Sequence, residues 1–422
     1  MAVILNNAKY IDWKTLAIRE TNIKVREGDN EKIVFSERPF IDETGKYDIV
    51  DCEGKFVTKS FANGHHHVYS ALARGMPAPV KQPENFIEIL KYIWWNLDKN
   101  LDKEMIEASA LFTAMDSAKN GVTFVIDHHS SPFAIEDSLE TIAKAFDKVG
   151  VSHLLCYEIS DRDGKEVTDA AFAETKNYLT QRQGLVGLHA SFTVGNETLS
   201  KAVKIAEEYN SGIHVHVAED MADENYSSEK YGQRVIERFK EAGVLQFSKT
   251  ILGHCLHLDK KEKEIITGVQ SWIVQNTESN LNNNVGFFDS RGLGNNIFAG
   301  TDGMHSDMIR SIQAAYFTGQ HFDTIDPLTA WKRLRNVHKY LETNRFEGDG
   351  ENNLIVLDYS PPTPVTSENF LGHFIYGLRS NNVRHVISDG NFIVKDKKVI
   401  TVDENEILEY SREMAINLWK KI

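Results

Sequence analysis

Two histidine pairs constrain this chain more than anything else in it. One pair lies in Asn63-Gly64-His65-His66-His67 and the other in His214-Val215-His216-Val217-Ala218-Glu219. Each pair is spaced i, i+2 within an apolar run that reads as a strand, and on a strand i and i+2 face the same way. His65 and His67 can therefore grip one metal ion from one side. His216 and a carboxylate would complete a ligand set that leaves a position open for water, the layout of a hydrolytic metal site. Three histidines in a row can be a surface accident. Glu219 directly after the second pair, followed by Leu252-Gly253-His254-Cys255 and Ala299-Gly300-Thr301-Asp302-Gly303, argues for a site instead.

The placement of these segments points to a fold. Strand-like runs fall at 59–65, 121–127, 151–157, 185–190, 212–217, 249–254, 271–275 and 296–301, with helical patterns between them. Two such helices are expected over 104–120 and 229–242, ended by Gly121 and Gly243. Eight strands alternating with helices from 58 to 347 predict an α/β fold, a (β/α)8 barrel of the TIM type. Chemistry in such barrels sits at the C-terminal ends of the strands. His65 and His67 end the first expected strand, His189 the fourth, His216 the fifth, His254 the sixth and Asp302 the eighth.

Both chain ends read as β structure. Residues 1–57 hold short strands at 3–5, 22–25, 32–35 and 48–50, with turns at Gly28-Asp29-Asn30 and Thr44-Gly45-Lys46. Residues 348–402 hold strands expected at 354–357, 373–376, 383–387 and 392–394. The simplest account is one small β-sandwich domain built from both ends, followed by an amphipathic helix over 403–422 with Ile407, Leu408, Met414, Leu418 and Ile422 on one side.

Composition narrows the class. The 422 residues carry a net charge of −14, which argues against a nucleic-acid partner. No apolar stretch approaches the roughly 18–20 residues that span a bilayer, so no membrane partner is expected. The three cysteines, Cys52, Cys156 and Cys255, form no framework. The expectation is a cytoplasmic protein with reduced, buried thiols.

The motifs carry a resemblance. Asn63 to Ser70 with Arg74-Gly75, Ile126-Asp127-His128-His129-Ser130-Ser131-Pro132, His216-Val217-Ala218-Glu219-Asp220, and Gly300-Thr301-Asp302-Gly303 with Ser306-Asp307-Met308 are similar to the amidohydrolase superfamily. The similarity is to its aminohydrolase and chlorohydrolase branch, which includes guanine, cytosine and S-adenosylhomocysteine deaminases, and the chain looks most like the SsnA-type aminohydrolases. The resemblance implies His65, His67, His216 and Asp302 as ligands of a divalent metal, with Zn2+ favoured and Fe2+ the alternative. It implies Glu219 as proton shuttle, His254 and Asp302 beside the reacting water, and His189 facing the substrate. Two-metal members bridge their ions with a carboxylated lysine at the end of strand four. Leu185-Val186-Gly187-Leu188-His189-Ala190-Ser191-Phe192 has no lysine, so a one-metal site is expected.

Other residues have two readings each. Trp94 and Trp95 lie in a long insertion after strand one, either as a lid over a flat heterocycle or as helix packing. His128 either touches substrate or makes a structural hydrogen bond. Arg162 either binds an anionic group or is neutralised by Asp161 and Asp163. Ser279 and Asn280 brace a loop. The expected activity is metal-dependent deamination of a cyclic amidine, an aminated purine or related heterocycle. A chlorohydrolase or amide hydrolase on the same scaffold is the alternative, and a non-catalytic scaffold the third reading. A small-molecule substrate is implied, and a homodimer is left open.

Overall fold

The structure is a computed structural model that describes residues 2–26, 33–42 and 45–422. The expected turn at Gly28-Asp29-Asn30, and Lys32 and Thr44 of their expected elements, lie outside the described residues. Five strands come first: β1 (Ala2–Ile11), β2 (Ile18–Val25), β3 (Val34–Ser36), β4 (Tyr47–Asp51) and β5 (Phe56–Lys59). Eight follow: β6 (Phe61–His66), β7 (Val122–His129), β8 (Ser152–Ile159), β9 (Val186–Ala190), β10 (Ile213–Val217), β11 (Ile251–His254), β12 (Trp272–Gln275) and β13 (Ile297–Ala299). The chain then returns to β structure with β14 (Leu354–Leu357), β15 (Val383–Ser388), β16 (Asn391–Lys395) and β17 (Lys398–Val399).

β6 to β13 pair in sequence order, all parallel, with helices between them. The ring is closed between its first and last strands by a parallel bridge between His66 and Asp302. Thr301 and Asp302 both donate their N–H groups to the His65 carbonyl at 3.0 Å. This is a (β/α)8 barrel, and its seam falls at two of the sequence motifs. A Cβ on Gly64 would stand 2.4 Å from a Phe298 ring carbon and 2.8 Å from the Ala299 carbonyl. The seam closes only because position 64 has no side chain.

The barrel interior is divided by polarity. Ala62, Phe124, Leu154, Leu185, Trp272 and Phe298 fill one end, covered by Val337, Tyr340 and Leu341 of the helix Pro327–Thr343. The C-terminal end holds His65, His128, His214 and His216, each buried. A register shift in β6 between Asn63 and His66 re-aims that strand as it leaves the apolar layer, the usual work of a bulge beside a site.

The remaining strands form one hydrogen-bonded sheet in the order β17-β16-β15-β14-β5-β1-β2-β3, with β4 also paired to β1. It draws on both chain ends. The β unit expected from both chain ends is present, its strands joined into one branched sheet because β1 is long and bulged between Leu5 and Ala8 and serves β2 along its length and β4 and β5 in turn. The sheet surrounds its own core of Val3, Leu5, Ile23, Val57, Val356 and Ile387, and Lys395 bonds Asp48 at 2.7 Å from β16 to β4.

Two element expectations also fail for local reasons. Residues 373–376 belong to the helix Phe370–Tyr376 rather than a strand. Phe370 and Phe374, at i, i+4, both pack edge-on against Trp331 at 5.4 and 5.0 Å, and that shared contact outweighs the β preference of His-Phe-Ile-Tyr. The helix expected over 229–242 is two helices, Met221–Tyr231 and Val235–Ala242. Gly232 enters the left-handed region at φ +70 and ends the first. The helix Lys103–Lys119 forms as read from sequence, with Gly121 at φ +79 just beyond it. The C-terminal helix Glu404–Trp419 buries Ile407, Met414 and Leu418, and Trp419 Nε1 donates to Leu72 O at 2.8 Å.

Gly64→Ala should cost about 1–3 kcal/mol through overpacking at the seam, seen as a lower melting temperature. Gly372→Ala, whose Cβ meets nothing within 4 Å, is the matched control and should melt like the parent.

Candidate metal centre and active site

Hydrogen bonds on the far side of each ring aim the histidines. His67 Nδ1 donates to the His128 carbonyl at 2.6 Å and His216 Nδ1 to the His189 carbonyl at 2.8 Å. His65 Nδ1 bonds His214 Nε2 at 2.9 Å. With their Nδ1 protons given to carbonyls, His67 and His216 turn Nε2 inward, and His65 does the same from its contact with His214. The Nε2 atoms of His67 and His216 are 3.2 Å apart. Asp302 Oδ1 lies 3.0 Å from His67 Nε2 and 3.4 Å from His65 Nε2. One ligand atom from each of His65, His67, His216 and Asp302 falls within 4.8 Å of the others, and all four residues are buried.

Neutral imidazole lone pairs this close to one another repel unless a cation lies between them. His65 Nε2 is buried without a hydrogen-bond partner, although buried polar atoms are almost always paired. The donor set is imidazole and carboxylate, which Zn2+ and Fe2+ both accept. The residues present therefore fit a divalent metal. Burial holds His65 down to about 3 and His216 well below the ordinary histidine range, which keeps both neutral as ligation requires. Burial would depress His67 too, but the hydrogen bond and charge of Asp302 outweigh it and carry His67 up to about 9. The cluster attracts positive charge, and a metal competes with a proton for it.

Around these four stand two groups able to move or hold protons. His254 Nδ1 bonds Asn280 Oδ1 at 2.7 Å, which turns Nε2 toward Glu219 Oε2 at 3.6 Å and Asp302 Oδ2 at 3.7 Å. Burial pushes Glu219 up to about 7, the range in which a carboxyl both takes and returns a proton near neutrality. Asn280, read as a loop brace, thus sets the orientation of His254. The backbone is strained where it matters: Ala218, His254 and Asp302 all have positive φ, at 45, 67 and 54, the kind of local cost that tends to gather at functional sites.

The cavity above the cluster is roofed by the insertion after β6. Its helical segment runs from Phe86 to Asn100 with a π turn over Leu90–Trp94. A π turn inserts a residue into the helical ladder, and both Trp94 and Trp95 reach the cavity, with Tyr69, Phe86 and Leu90 beside them. His189, Arg162, Glu219, Asp302 and Ser279 also line it. His128 does not, and the substrate-contact reading is corrected. Its ring lies beneath the cluster, with Nε2 donating to Leu188 O and His214 O at 3.1 and 3.2 Å. Arg162 is neutralised, as one of its two readings held, but by Asp163 at 3.0 Å and by Asp98 from the roof segment.

Glu158 escaped sequence reading. It is the penultimate residue of β8, is buried, and lines the cavity with a carboxylate oxygen 3.3 Å from His128 Nδ1. The signal was present in its position at a strand end, one residue beyond the expected strand at 151–157, but no pairing with another ligand-type residue marked it.

Residues 56–336 match the Amidohydrolase family. The chain belongs to that family. Among amidohydrolase relatives, it is 27% identical over 430 residues to a 5'-deoxyadenosine deaminase of Methanopyrus kandleri, spanning 92% of this chain and 96% of that one. It is 24% identical to a 5-methylthioadenosine/S-adenosylhomocysteine deaminase of Syntrophomonas wolfei, spanning 89% and 90%. Among solved structures, an adenosine deaminase from Xanthomonas campestris with bound zinc superposes with a TM-score of 0.82 at 17% identity, over 99% and 98% of the two chains. An atrazine chlorohydrolase from Arthrobacter aurescens complexed with zinc also reaches 0.82, at 14% identity over 98% and 100%.

Chelation should lower the melting temperature, because an ion bound only by the folded state stabilises it. Added Zn2+ should restore it, with weaker apparent affinity as pH falls, since the ligands must shed protons to bind. His67→Ala should melt at one temperature with or without Zn2+.

Proposed function

We propose that this protein is a single-metal aminohydrolase that deaminates a cyclic amidine within an aminated purine or related heterocycle, with His65, His67, His216 and Asp302 holding one Zn2+. The observation that carries the reading is the raised, largely enclosed Glu219 carboxyl beside a cluster whose donor atoms converge. An amine must be protonated to leave and chloride need not be, and Glu219 is placed to supply that proton. The names of the deaminase relatives support the same reading.

When bound, the ion supplies Lewis acidity that makes water a nucleophile near neutral pH. The chain's residues do the rest. The substrate carbon bearing the amino group sits over the cluster, held flat between the indoles of the roof. Glu219 takes a proton from the attacking water and places it on the adjacent ring nitrogen. Asp302 and His254 hold the remaining proton near the new oxygen. Glu219 then carries that proton to the amino group, which departs as ammonia and leaves a carbonyl: amidine and water become oxo product and ammonia. The roof excludes bulk water from these transfers. Asp302, His254 and Glu219 exchange protons as a set, so the pH profile belongs to the cluster and not to one member.

The test is ammonia release from a panel of aminated purines, pterins and pyrimidines by the zinc-loaded protein. Glu219→Gln should lose roughly 10²–10⁴ in kcat while holding one metal per chain. Loss of the metal in Glu219→Gln would make Glu219 a ligand and remove the proposed shuttle, and chloride release without ammonia would favour the chlorohydrolase.

A further inference from the structure

The cavity wall beside the cluster has a definite hydrogen-bonding polarity. His189 Nδ1 donates to Thr193 Oγ1 at 2.7 Å. We assign that hydroxyl's own proton to Ala190 O, at 3.1 Å. His189 is therefore the Nδ1–H tautomer, and its Nε2 offers only a lone pair. Next to it stands Glu158, 5% exposed. Its carboxylate lies 3.3 Å from His128 Nδ1, and Arg162 lines the cavity with it. An ionised carboxylate accepts and never donates. A carboxylate oxygen of Glu158, a ring nitrogen of His189 and one of His216 all lie within 4.8 Å of one another.

Arg162 lines the same cavity. Arg162 is 8% exposed on its side chain. Its Nε bonds Asp163 at 3.0 Å, its Nη2 bonds Asp98 and Ser130 Oγ, and its face lies 5.2 Å from the Trp95 ring. Its Nη1 alone is buried without a partner.

We propose that Glu158 and His189 form an acceptor-only shelf beside the metal cluster that selects a substrate presenting two closely spaced hydrogen-bond donors. This rests on reading the cavity as the substrate site. An N9-substituted adenine ring has the wrong polarity for the shelf, because its ring nitrogens only accept. Two chemistries supply the required pair of donors: ring N–H groups of an oxo heterocycle, or the vicinal hydroxyls of a ribose. Either would leave the shelf unpaired when its donors are removed, and a site built to hydrogen-bond its substrate rejects such analogues strongly.

The experiment is equilibrium binding to the zinc-loaded protein of four compounds that carry no exocyclic amino group and so are not deaminated. Xanthine against 1,3-dimethylxanthine removes ring N–H donors, and inosine against 2',3'-dideoxyinosine removes the diol. At least one pair should differ by about 100-fold or more in Kd, and which pair does so identifies the source of the donors. Glu158→Gln should bring that difference within a few-fold, with metal content and melting temperature kept. A methyl group that merely clashes would leave the difference intact in Glu158→Gln, and that outcome overturns the proposal. So does a wild-type protein that distinguishes neither pair, or a Glu158→Gln protein that loses its metal. Should Glu158→Gln not fold, His189→Ala removes the other acceptor and carries the same test. Because the readout is binding, a shelf that discriminates in a protein that releases no ammonia sinks the aminohydrolase reading and leaves the shelf standing.

Discussion

Everything at the mouth of this barrel depends on where three imidazole protons are. His67 and His216 spend their Nδ1–H groups on the His128 and His189 carbonyls, and His65 Nδ1 meets the His214 ring. Those partners lie on β7, β9 and β10, so the orientation of each of the three rings is set by a neighbouring strand and not by its own. The lone pairs then converge on Asp302, which arrives from the far side of the seam. Partners of this kind fix the tautomer and ring direction of ligating histidines and raise their basicity. They also explain His128: it is spent as scaffold, its carbonyl holding His67 and its ring holding β9 and β10.

The seam makes that arrangement rigid. Asn63 accepts the Thr301 N–H at 3.2 Å and donates to Thr301 Oγ1 at 2.6 Å, and the His65 carbonyl takes the N–H groups of Thr301 and Asp302. The first and last ligands in the chain are thus locked together by backbone and one asparagine. On the opposite side, the Asp98–Arg162 pair fastens the roof to the loop after β8, and Asp223 accepts the N–H groups of Ala218 and Phe192 at 3.0 Å each. Burial pushes that carboxyl up to about 7, a sign of how little water reaches it. The cavity is held from strand ends and roof together, which suits chemistry whose proton transfers must not leak to solvent.

What could be read in the sequence followed from periodicity. Strand runs bounded by glycine, and histidines at i, i+2 on them, name their own geometry, so the barrel and the residues its strand ends bring together were legible. Glu158 was not, because a single carboxylate at a strand end has no partner at a fixed spacing and gains its meaning only from His189, His128 and Arg162 across three strands. His128 looked like a substrate contact because barrel position aims a side chain without saying how deep it lies. Asp98 on the roof and its pairing to Arg162 depend on how an irregular insertion folds back, which no local rule encodes. The helix Phe370–Tyr376 was misread because its deciding contact, Trp331, is distant in sequence. In each case a long-range contact overruled a local preference.

The central claim is that one divalent cation sits where the three Nε2 lone pairs and Asp302 converge. Anomalous diffraction from a crystal grown with Zn2+, collected on both sides of the zinc edge, measures this directly. The account predicts a single strong peak in contact with His65, His67, His216 and Asp302. A peak ligated by Glu158, or no peak among these four residues, would contradict it.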